Sequence, residues 1–163
     1  MKRIVCFGDS NTFGHNPLDG SRLPRDQRWT GILSDLLGEE YEIIEEGLCG
    51  RTTVRECPES PWVSGLPYLT PCVLSHQPFD LLILMLGTND LQVPFQAIPL
   101  TVARGAEALV HQFLSLDWPP ENRPKLLLVS PIHIGDVSVN PVFGPLFGYE
   151  RASNYSRELA PYY

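Results

Sequence analysis

The feature that most constrains the fold is an uninterrupted apolar run, LLILML, at residues 81–86. A short continuous run of this kind is typical of a central β-strand that is covered on both faces. It is far too short to cross a bilayer as a helix. Three similar stretches, residues 3–7, 41–47 and 125–131, predict further strands. Since helical patterns separate these strands, the order β-α-β-α-β-α-β-α indicates an α/β fold with a parallel sheet and helices on both of its faces.

The segments that follow the predicted strands carry the periodicity of amphipathic helices. The apolar face of the helix within residues 27–38 consists of Trp29, Ile32, Leu33, Leu36 and Leu37. A second helix begins at Pro99, and its apolar face consists of Val102, Ala106, Leu109, Val110 and Phe113. Shorter helices are predicted at residues 66–76 and 149–159, and loops at residues 14–25, 48–65 and 132–148.

Composition and charge limit the class of protein. The 163 residues suit a single domain, residues 1–163, and the formal net charge of −7 without any basic stripe argues against a nucleic-acid partner. The four cysteines have no C-x-x-C spacing, which favours reduced thiols in a cytoplasmic protein. The chain has no glycine-rich nucleotide-binding motif, and its four histidines are widely separated, so we expect neither a cofactor nor a metal. No segment predicts a membrane partner.

Three turns of unusual composition follow the predicted strands: GDSN at residues 8–11, GLCGRTT at residues 47–53 and GTND at residues 87–90. The carboxyl ends of parallel strands lie at one edge of a sheet, and ligands bind there near a switch in strand order. If the strand order is 2-1-3-4, the second and third strands flank the first, and all three turns meet. The sequence therefore predicts a functional site at this edge.

The polar residues and glycines of these turns suit the chemistry of an acyl carbonyl. Ser10 lies where the first strand meets a helix, whose free N–H groups and dipole can hold an oxyanion; alternatively, Ser10 only caps that helix. Gly50 can bring its N–H close to a substrate, or it is an ordinary loop glycine. The Asn89 amide can donate to the same oxyanion, or it bonds to its own backbone in a turn. Asp9 and Asp90 are predicted to support the site rather than to react.

The motifs FGDSN (7–11), Gly50 and GTND (87–90) resemble the first three sequence blocks of the SGNH hydrolases, also called GDSL esterases. The similarity extends over roughly residues 2–131 and is close to the bacterial aryl-esterase and acyltransferase branch. It implies a flavodoxin-like three-layer α/β/α sandwich with Ser10 as the nucleophile. It implies an oxyanion hole formed by the N–H groups of Ser10 and Gly50 and the side chain of Asn89. It also implies assembly as a homo-oligomer and a small-molecule ester as substrate.

The resemblance implies a general base and acid from a D-x-x-H motif, but no aspartate in this chain is followed by histidine three residues later. His133 follows the fourth strand at the correct edge, yet it is two strands, or roughly 10 Å, from Ser10. It is therefore a weak candidate for the base. We expect instead that the chain is a fragment that lacks a final strand and helix of about 50 residues. The base and acid would then lie in a lost segment or in a companion C-terminal fragment.

Two loops carry aromatic residues that are predicted to line the rim of the crevice. Trp62 lies in the loop after the second strand, and Phe143 and Phe147 lie in the loop after the fourth. An apolar rim would exclude water from an acyl-enzyme and favour small acyl or aryl groups; alternatively, these side chains pack against a neighbouring subunit.

The hypothesis that best accounts for these features is a serine esterase for small aryl or short-chain esters, with the acyl group passing to water or to another alcohol. The alternative is a catalytically incomplete binding or assembly protein with the same fold.

Overall fold

The fold is built on a four-stranded parallel sheet, seen in a computed structural model that describes residues 1–137 and 140–163. The strands are β1 (Lys2–Gly8), β2 (Tyr41–Gly47), β3 (Leu81–Met85) and β4 (Lys125–Leu128). Their order is β2-β1-β3-β4, and every neighbouring pair is parallel. This confirms the predicted α/β class and the predicted strand order, which places the carboxyl ends of β2 and β3 on either side of β1.

In the described part of the chain, six α-helices connect or follow the strands, together with several short 3₁₀ turns. They are α1 (Ser10–Phe13), α2 (Trp29–Leu37), α3 (Gly65–Ser75), α4 (Pro99–Leu114), α5 (Phe143–Phe147) and α6 (Glu150–Glu158). Within the described residues, none of these helices is both long enough and apolar enough to cross a membrane.

The alternating side chains of the central strands fill a core on each face of the sheet. On one face, Val5 and Phe7 of β1 pack with Leu82 and Leu84 of β3 beneath α3 and α4. On the other face, Ile4, Cys6 and Ile83 pack beneath α2. Because both faces are covered, β3 is apolar at every position, which is the physical origin of the continuous run in the sequence.

Helix α4 buries the face that its periodicity predicts. Val102, Ala106, Leu109 and Phe113 are buried, and Val110 is partly buried against the same core. The helix begins at Pro99, as predicted, because a proline in the first turn needs no backbone hydrogen-bond donor.

The predicted face of α2 is only partly correct. Ile32 and Leu36 are 44% and 80% exposed, whereas Thr30 and Gly31 are buried. The Thr30 hydroxyl donates to the Glu45 carboxylate of β2, and a Cβ at Gly31 would lie only 1.9 Å from a carbonyl oxygen of the preceding 3₁₀ turn. The Thr30 hydrogen bond and the close backbone approach at Gly31 orient the helix so that part of its apolar face points to solvent. Hydrophobic spacing alone does not predict either feature.

Helix α5 was not predicted, since its residues fell within a segment interpreted as a loop. It contains Pro145 and ends at Gly148, which has a left-handed φ of 68°. An apolar cluster around Phe147 stabilises α5 against α4 and α6; its buried members are Leu91, Ala97, Val102, Phe147, Ala152 and Leu159. Helix α6 lies where the periodicity predicted it, within one residue at each end.

Candidate active site

Ser10 is the first helical residue after β1, and it does not cap the helix. Asp9 occupies the cap position, and its Oδ1 accepts from the backbone N–H of Asn11 at 2.9 Å and from the Asn11 side chain at 3.0 Å. The alternative that Ser10 serves only as a helix cap is therefore wrong. Ser10 is half-buried, so its side chain has access to solvent at the end of the strand.

The backbone around Ser10 leaves one donor available. The N–H groups of Thr12 and Phe13 both bond to the Asp9 carbonyl, and that of Asn11 bonds to the Asp9 carboxylate. Across residues 1–137 and 140–163, no acceptor is recorded for the N–H of Ser10. Because α1 has only one turn, its macrodipole is small, and the individual N–H is the electrostatic feature of interest.

The turn after β2 reaches the turn after β1 through backbone hydrogen bonds. The N–H of Leu48 donates to the Gly8 carbonyl at 3.1 Å, which carries the chain from β2 towards Ser10. Gly50 then adopts a left-handed φ of 81°, a conformation that glycine favours. A Cβ built at Gly50 would meet only a Val63 methyl group, at 3.7 Å, so the space beside this residue is open to a ligand.

Asn89 is buried at the end of β3, and both ends of its amide are held in place. Its Nδ2 donates to the Arg51 carbonyl at 3.0 Å, and its Oδ1 accepts from Gln92 at 3.1 Å. One of the two interpretations had the side chain bonding to its own backbone in a turn, and the structure shows instead that it bonds to Arg51 and Gln92. Since an amide carries two N–H groups and Arg51 takes one, a second donor remains.

Arg51 joins the three turns, although no sequence motif singled it out. Its guanidinium donates to the carbonyls of Gly8 and Glu46, while its own carbonyl accepts from Asn89. The guanidinium also lies over the rings of Phe7 and Tyr68, at 4.3 Å and 5.2 Å from their centroids. A signal that could have found it is its place directly after Gly50, inside a turn that must reach two neighbouring strands.

Asp90, just beyond the end of β3, also holds the turn after β2 that contains Gly50 and Arg51. Its two carboxylate oxygens accept from the backbone N–H of Thr53, at 2.9 Å, and from the Thr53 hydroxyl. Both Asp9 and Asp90 are buried, and desolvation raises the pKa of each, although their hydrogen bonds oppose the shift. These contacts agree with supporting positions for the two aspartates, since neither faces open solvent.

The four histidines do not converge on Ser10 in the described structure. The His76 ring bonds to Glu46 at 2.6 Å, and the His111 side chain is 74% exposed on α4 near Glu107. His133 is exposed in the segment after β4. His15 is partly buried five residues after Ser10, where its backbone N–H donates to the Ser10 carbonyl. Among the described residues, none of their side chains is recorded in a hydrogen bond with Ser10.

The aromatic residues predicted for the rim occupy different environments. Trp62 is 64% exposed and borders a groove of about 520 Å³ that Arg51 and Tyr68 also line. Phe147 is buried in the apolar cluster between α4, α5 and α6, and Phe143 packs partly against the same cluster. Of the three, Trp62 has the accessibility that a substrate contact needs.

Several known proteins similar to this chain are esterases. The family model described as the GDSL-like lipase/acylhydrolase family matches residues 6–160. Est24, a carbohydrate acetylesterase from Sinorhizobium meliloti, is 39% identical, with a TM-score of 0.91 over 100% of this chain and 78% of that chain. An aryl esterase from M. smegmatis is 42% identical, with the same TM-score and the same coverage of both chains.

A curated relative comes from Bacillus subtilis (strain 168). It is named as the uncharacterized lipoprotein YqeF and is 31% identical over 134 residues. The match covers 82% of this chain but 50% of the relative, so the chain spans about half the length of that protein.

The buried Asp90 carboxylate predicts a pH-dependent stability. Because burial raises the pKa of Asp90, the folded protein holds this proton more tightly than the unfolded chain, and the contribution of Asp90 to the free energy of unfolding falls as pH rises above about 4. Asp90→Asn removes this loss, since its amide can accept from the Thr53 N–H and donate to the Thr53 hydroxyl. Urea unfolding from pH 4 to 7 should show the variant gaining stability relative to the wild type as pH rises.

Asp19→Asn is the matched control for that measurement. Asp19 is exposed, and hydrogen bonds from Ser21 lower the pKa of its carboxyl group. A lowered pKa affects the free energy of unfolding only below about pH 4, so this replacement should leave the pH dependence between pH 5 and 7 unchanged. A difference between Asp90→Asn and the wild type that stays constant across the pH range would contradict the prediction.

Proposed function

The chain belongs to the GDSL-like lipase/acylhydrolase family, and we propose that it is a serine esterase that hydrolyses small carboxylic esters through an acyl-Ser10 intermediate. The observation that carries the proposal is that hydrogen bonds fix both ends of the Asn89 side-chain amide. Arg51 and Gln92 orient this side chain at the end of β3, the strand next to β1 and Ser10. The Arg51 carbonyl accepts from one of the two amide N–H groups, and the other remains available as a donor.

In the proposed reaction, the Ser10 hydroxyl attacks the ester carbonyl and its proton passes to a general base. The carbonyl oxygen becomes an oxyanion, which accepts from the N–H groups of Ser10 and Gly50 and from the Asn89 side chain. Collapse of this intermediate breaks the ester bond and releases the alcohol. Water then attacks the acyl-serine, which releases the carboxylic acid and restores the Ser10 hydroxyl.

The donors suit this role because they need little reorganisation. Gly50 is already left-handed, and Asn89 is held at both ends of its amide. Asp90 braces the same turn through Thr53, so the Gly50 and Asn89 donors belong to one connected network. A fixed set of donors stabilises a developing charge better than water, which must reorient as the charge forms.

The substrate class follows from the similar proteins and from the groove beside the site. One of them is a carbohydrate acetylesterase and another is an aryl esterase, and both kinds of enzyme cleave an ester. We propose small acyl groups for this chain, with Trp62 as an apolar contact for the alcohol or aryl part. Phe143 and Phe147 would support the site indirectly, because they pack in the apolar cluster that contains Leu91, two residues after Asn89.

Exposed apolar surface around Trp62 also favours the proposed assembly as a homo-oligomer. Trp62 and Tyr68 are 64% and 40% exposed on the same groove, and large apolar surfaces of this kind are common at protein interfaces.

Replacement of the nucleophile tests the proposal most directly. Ser10→Ala should lower the hydrolysis of a short-chain aryl ester by at least about 10³-fold, because the acyl-enzyme cannot form. It should also abolish labelling by a fluorophosphonate, measured as a mass increase of the intact protein. Ser21→Ala, in an exposed loop, is the control and should keep both properties. Wild-type protein that neither hydrolyses esters nor becomes labelled would favour the binding or assembly alternative.

The Asn89 donor has a separate signature. Asn89→Ala should lower kcat by about 10²–10³-fold, the effect expected for one lost oxyanion donor, while KM changes little. Gln92→Ala should cause a smaller loss of kcat, since it removes only the contact that orients the amide. Asn122→Ala changes an exposed asparagine and serves as the control. A loss confined to KM in Asn89→Ala would contradict the role in the oxyanion hole.

Transfer to an alcohol is the second outcome open to the acyl-enzyme. An alcohol that enters the apolar groove can attack acyl-Ser10 in place of water and yield a new ester. We expect added primary alcohols to divert part of the acyl group in a product assay by chromatography. Unchanged acid yield at every alcohol concentration would limit the proposed activity to hydrolysis.

A further inference from the structure

One face of α3 carries three polar side chains spaced four residues apart: Tyr68, Cys72 and His76. This spacing aligns them along the helix, with His76 at its C-terminal cap. They all face Glu46 near the end of β2. The His76 Nε2 lies 2.6 Å from one Glu46 carboxylate oxygen, and the Tyr68 hydroxyl lies 3.3 Å from the other.

The ligand atoms of three of these residues converge. One carboxylate oxygen of Glu46, the Sγ of Cys72 and a ring nitrogen of His76 all lie within 4.8 Å of one another. Zinc binds sulfur at about 2.3 Å and nitrogen or oxygen at about 2.0–2.2 Å in tetrahedral geometry. Those bond lengths imply ligand separations of roughly 3–4 Å, so small side-chain adjustments would place all three atoms around one ion.

The chemistry of the donor set is selective. Thiolate and imidazole are the ligands that zinc prefers, and an all-oxygen set would favour magnesium or calcium instead. Cys72 is buried, and Glu46 and His76 are each partly buried, so the trio lies between α3 and β2 rather than on open surface. A partly buried site of this kind limits competition from water without closing the path for an ion.

The existing contacts of the three residues would change when an ion binds. A divalent ion would replace the thiol proton of Cys72 and the hydrogen bond between Glu46 and His76. Arg51 is the opposing charge nearby, and the carboxylate and thiolate together offset its repulsion of the ion.

We propose that Glu46, Cys72 and His76 form a binding site for Zn²⁺, with water or the Tyr68 hydroxyl as the fourth ligand. On binding, the Cys72 thiol releases its proton to solvent, and His76 binds through Nε2 as the neutral tautomer with its proton on Nδ1. The ion joins α3 to β2 beside Arg51, and it takes no part in the attack by Ser10. The site is independent of the proposed esterase activity.

Sequence spacing did not lead to this site, because only two of its ligands are near each other in the chain. Cys72 and His76 are a helical i, i+4 pair, which is a usable signal. Glu46 lies on a different element and approaches them only when α3 packs across the sheet. The wide separation of the histidines from one another had suggested that no metal would bind.

Cobalt is the probe that tests the ligands directly. Addition of Co²⁺ to the intact, reduced protein should produce a thiolate-to-cobalt charge-transfer band in the near ultraviolet that saturates at one equivalent. Zn²⁺ should abolish the band. Competition with a chromophoric chelator should give the same stoichiometry for Zn²⁺, and Zn²⁺ should raise the thermal midpoint, since it binds only the folded state.

Two variants and two controls assign the band. Cys72→Ser should lose it, and His76→Gln, at a half-buried position, should weaken Zn²⁺ binding and lower the thermal shift even if Cys72→Ser folds poorly. Cys57→Ser is the matched control, because the Cys57 thiol also lies beside a carboxylate, that of Glu59, at 3.2 Å. His111→Gln controls for an exposed histidine. Absence of the band in the wild type, or its retention in Cys72→Ser, would overturn the proposal.

Discussion

The buried guanidinium of Arg51 is the contact on which the rest of the site depends. It donates to the carbonyl oxygens of Gly8 and Glu46 at the ends of β1 and β2, while the Arg51 carbonyl receives the amide of Asn89 beyond β3. Burial lowers the pKa of Arg51, which expresses the free-energy cost of removing this charge from water. Two carbonyl acceptors and two aromatic rings offset that cost, so one residue fixes the relative positions of three strand ends.

The neighbouring carboxylates complete the same polar network. Asp9 holds the first turn of α1, and Asp90 holds Thr53 in the turn that contains Gly50. Buried polar groups of this kind cost free energy unless they are bonded, and once bonded they restrict the structure to one arrangement. A set of oxyanion donors needs that restriction, since its value lies in being in place before the charge develops. The network thus links the stability of the fold to the chemistry proposed for Ser10.

Arg51 connects the proposed zinc site to the turn that contains Ser10, because its guanidinium donates both to Glu46 and to Gly8. The backbone carbonyl of Glu46 accepts from Arg51, and its side-chain carboxylate bonds to His76. One residue of β2 therefore contributes to the Arg51 network and to the proposed zinc site. Tyr68 lies between them, with its ring against Arg51 and its hydroxyl near the Glu46 carboxylate. An ion bound there would restrain helix α3, whose first residues donate hydrogen bonds to the carbonyls of Thr52 and Thr53 in the turn that contains Gly50.

Much of the architecture was predictable because its signals are local. The four strands, the start of α4 at Pro99 and the strand order were correct, since continuous apolar runs, helical spacing and parallel connections obey strong rules. The predictions failed where a single long-range contact decided the outcome. The contacts of Thr30 and Gly31 with Glu45 and the preceding turn set the orientation of α2. Residues predicted as a loop form α5 because Phe147 packs in an apolar cluster with residues distant in the chain.

The candidate site divides in the same way. The sequence by itself determined that Ser10, Gly50 and Asn89 lie in turns after parallel strands, and therefore at one edge of the sheet, because the carboxyl ends of parallel strands share an edge. The structure then confirmed the strand order that brings these turns together. Only the tertiary structure decided that Asp9 rather than Ser10 caps α1, that Arg51 and Gln92 hold the Asn89 amide, and that Glu46 meets Cys72 and His76. Hydrogen bonds between residues far apart in the chain depend on side-chain directions that packing sets, and no local pattern encodes those directions.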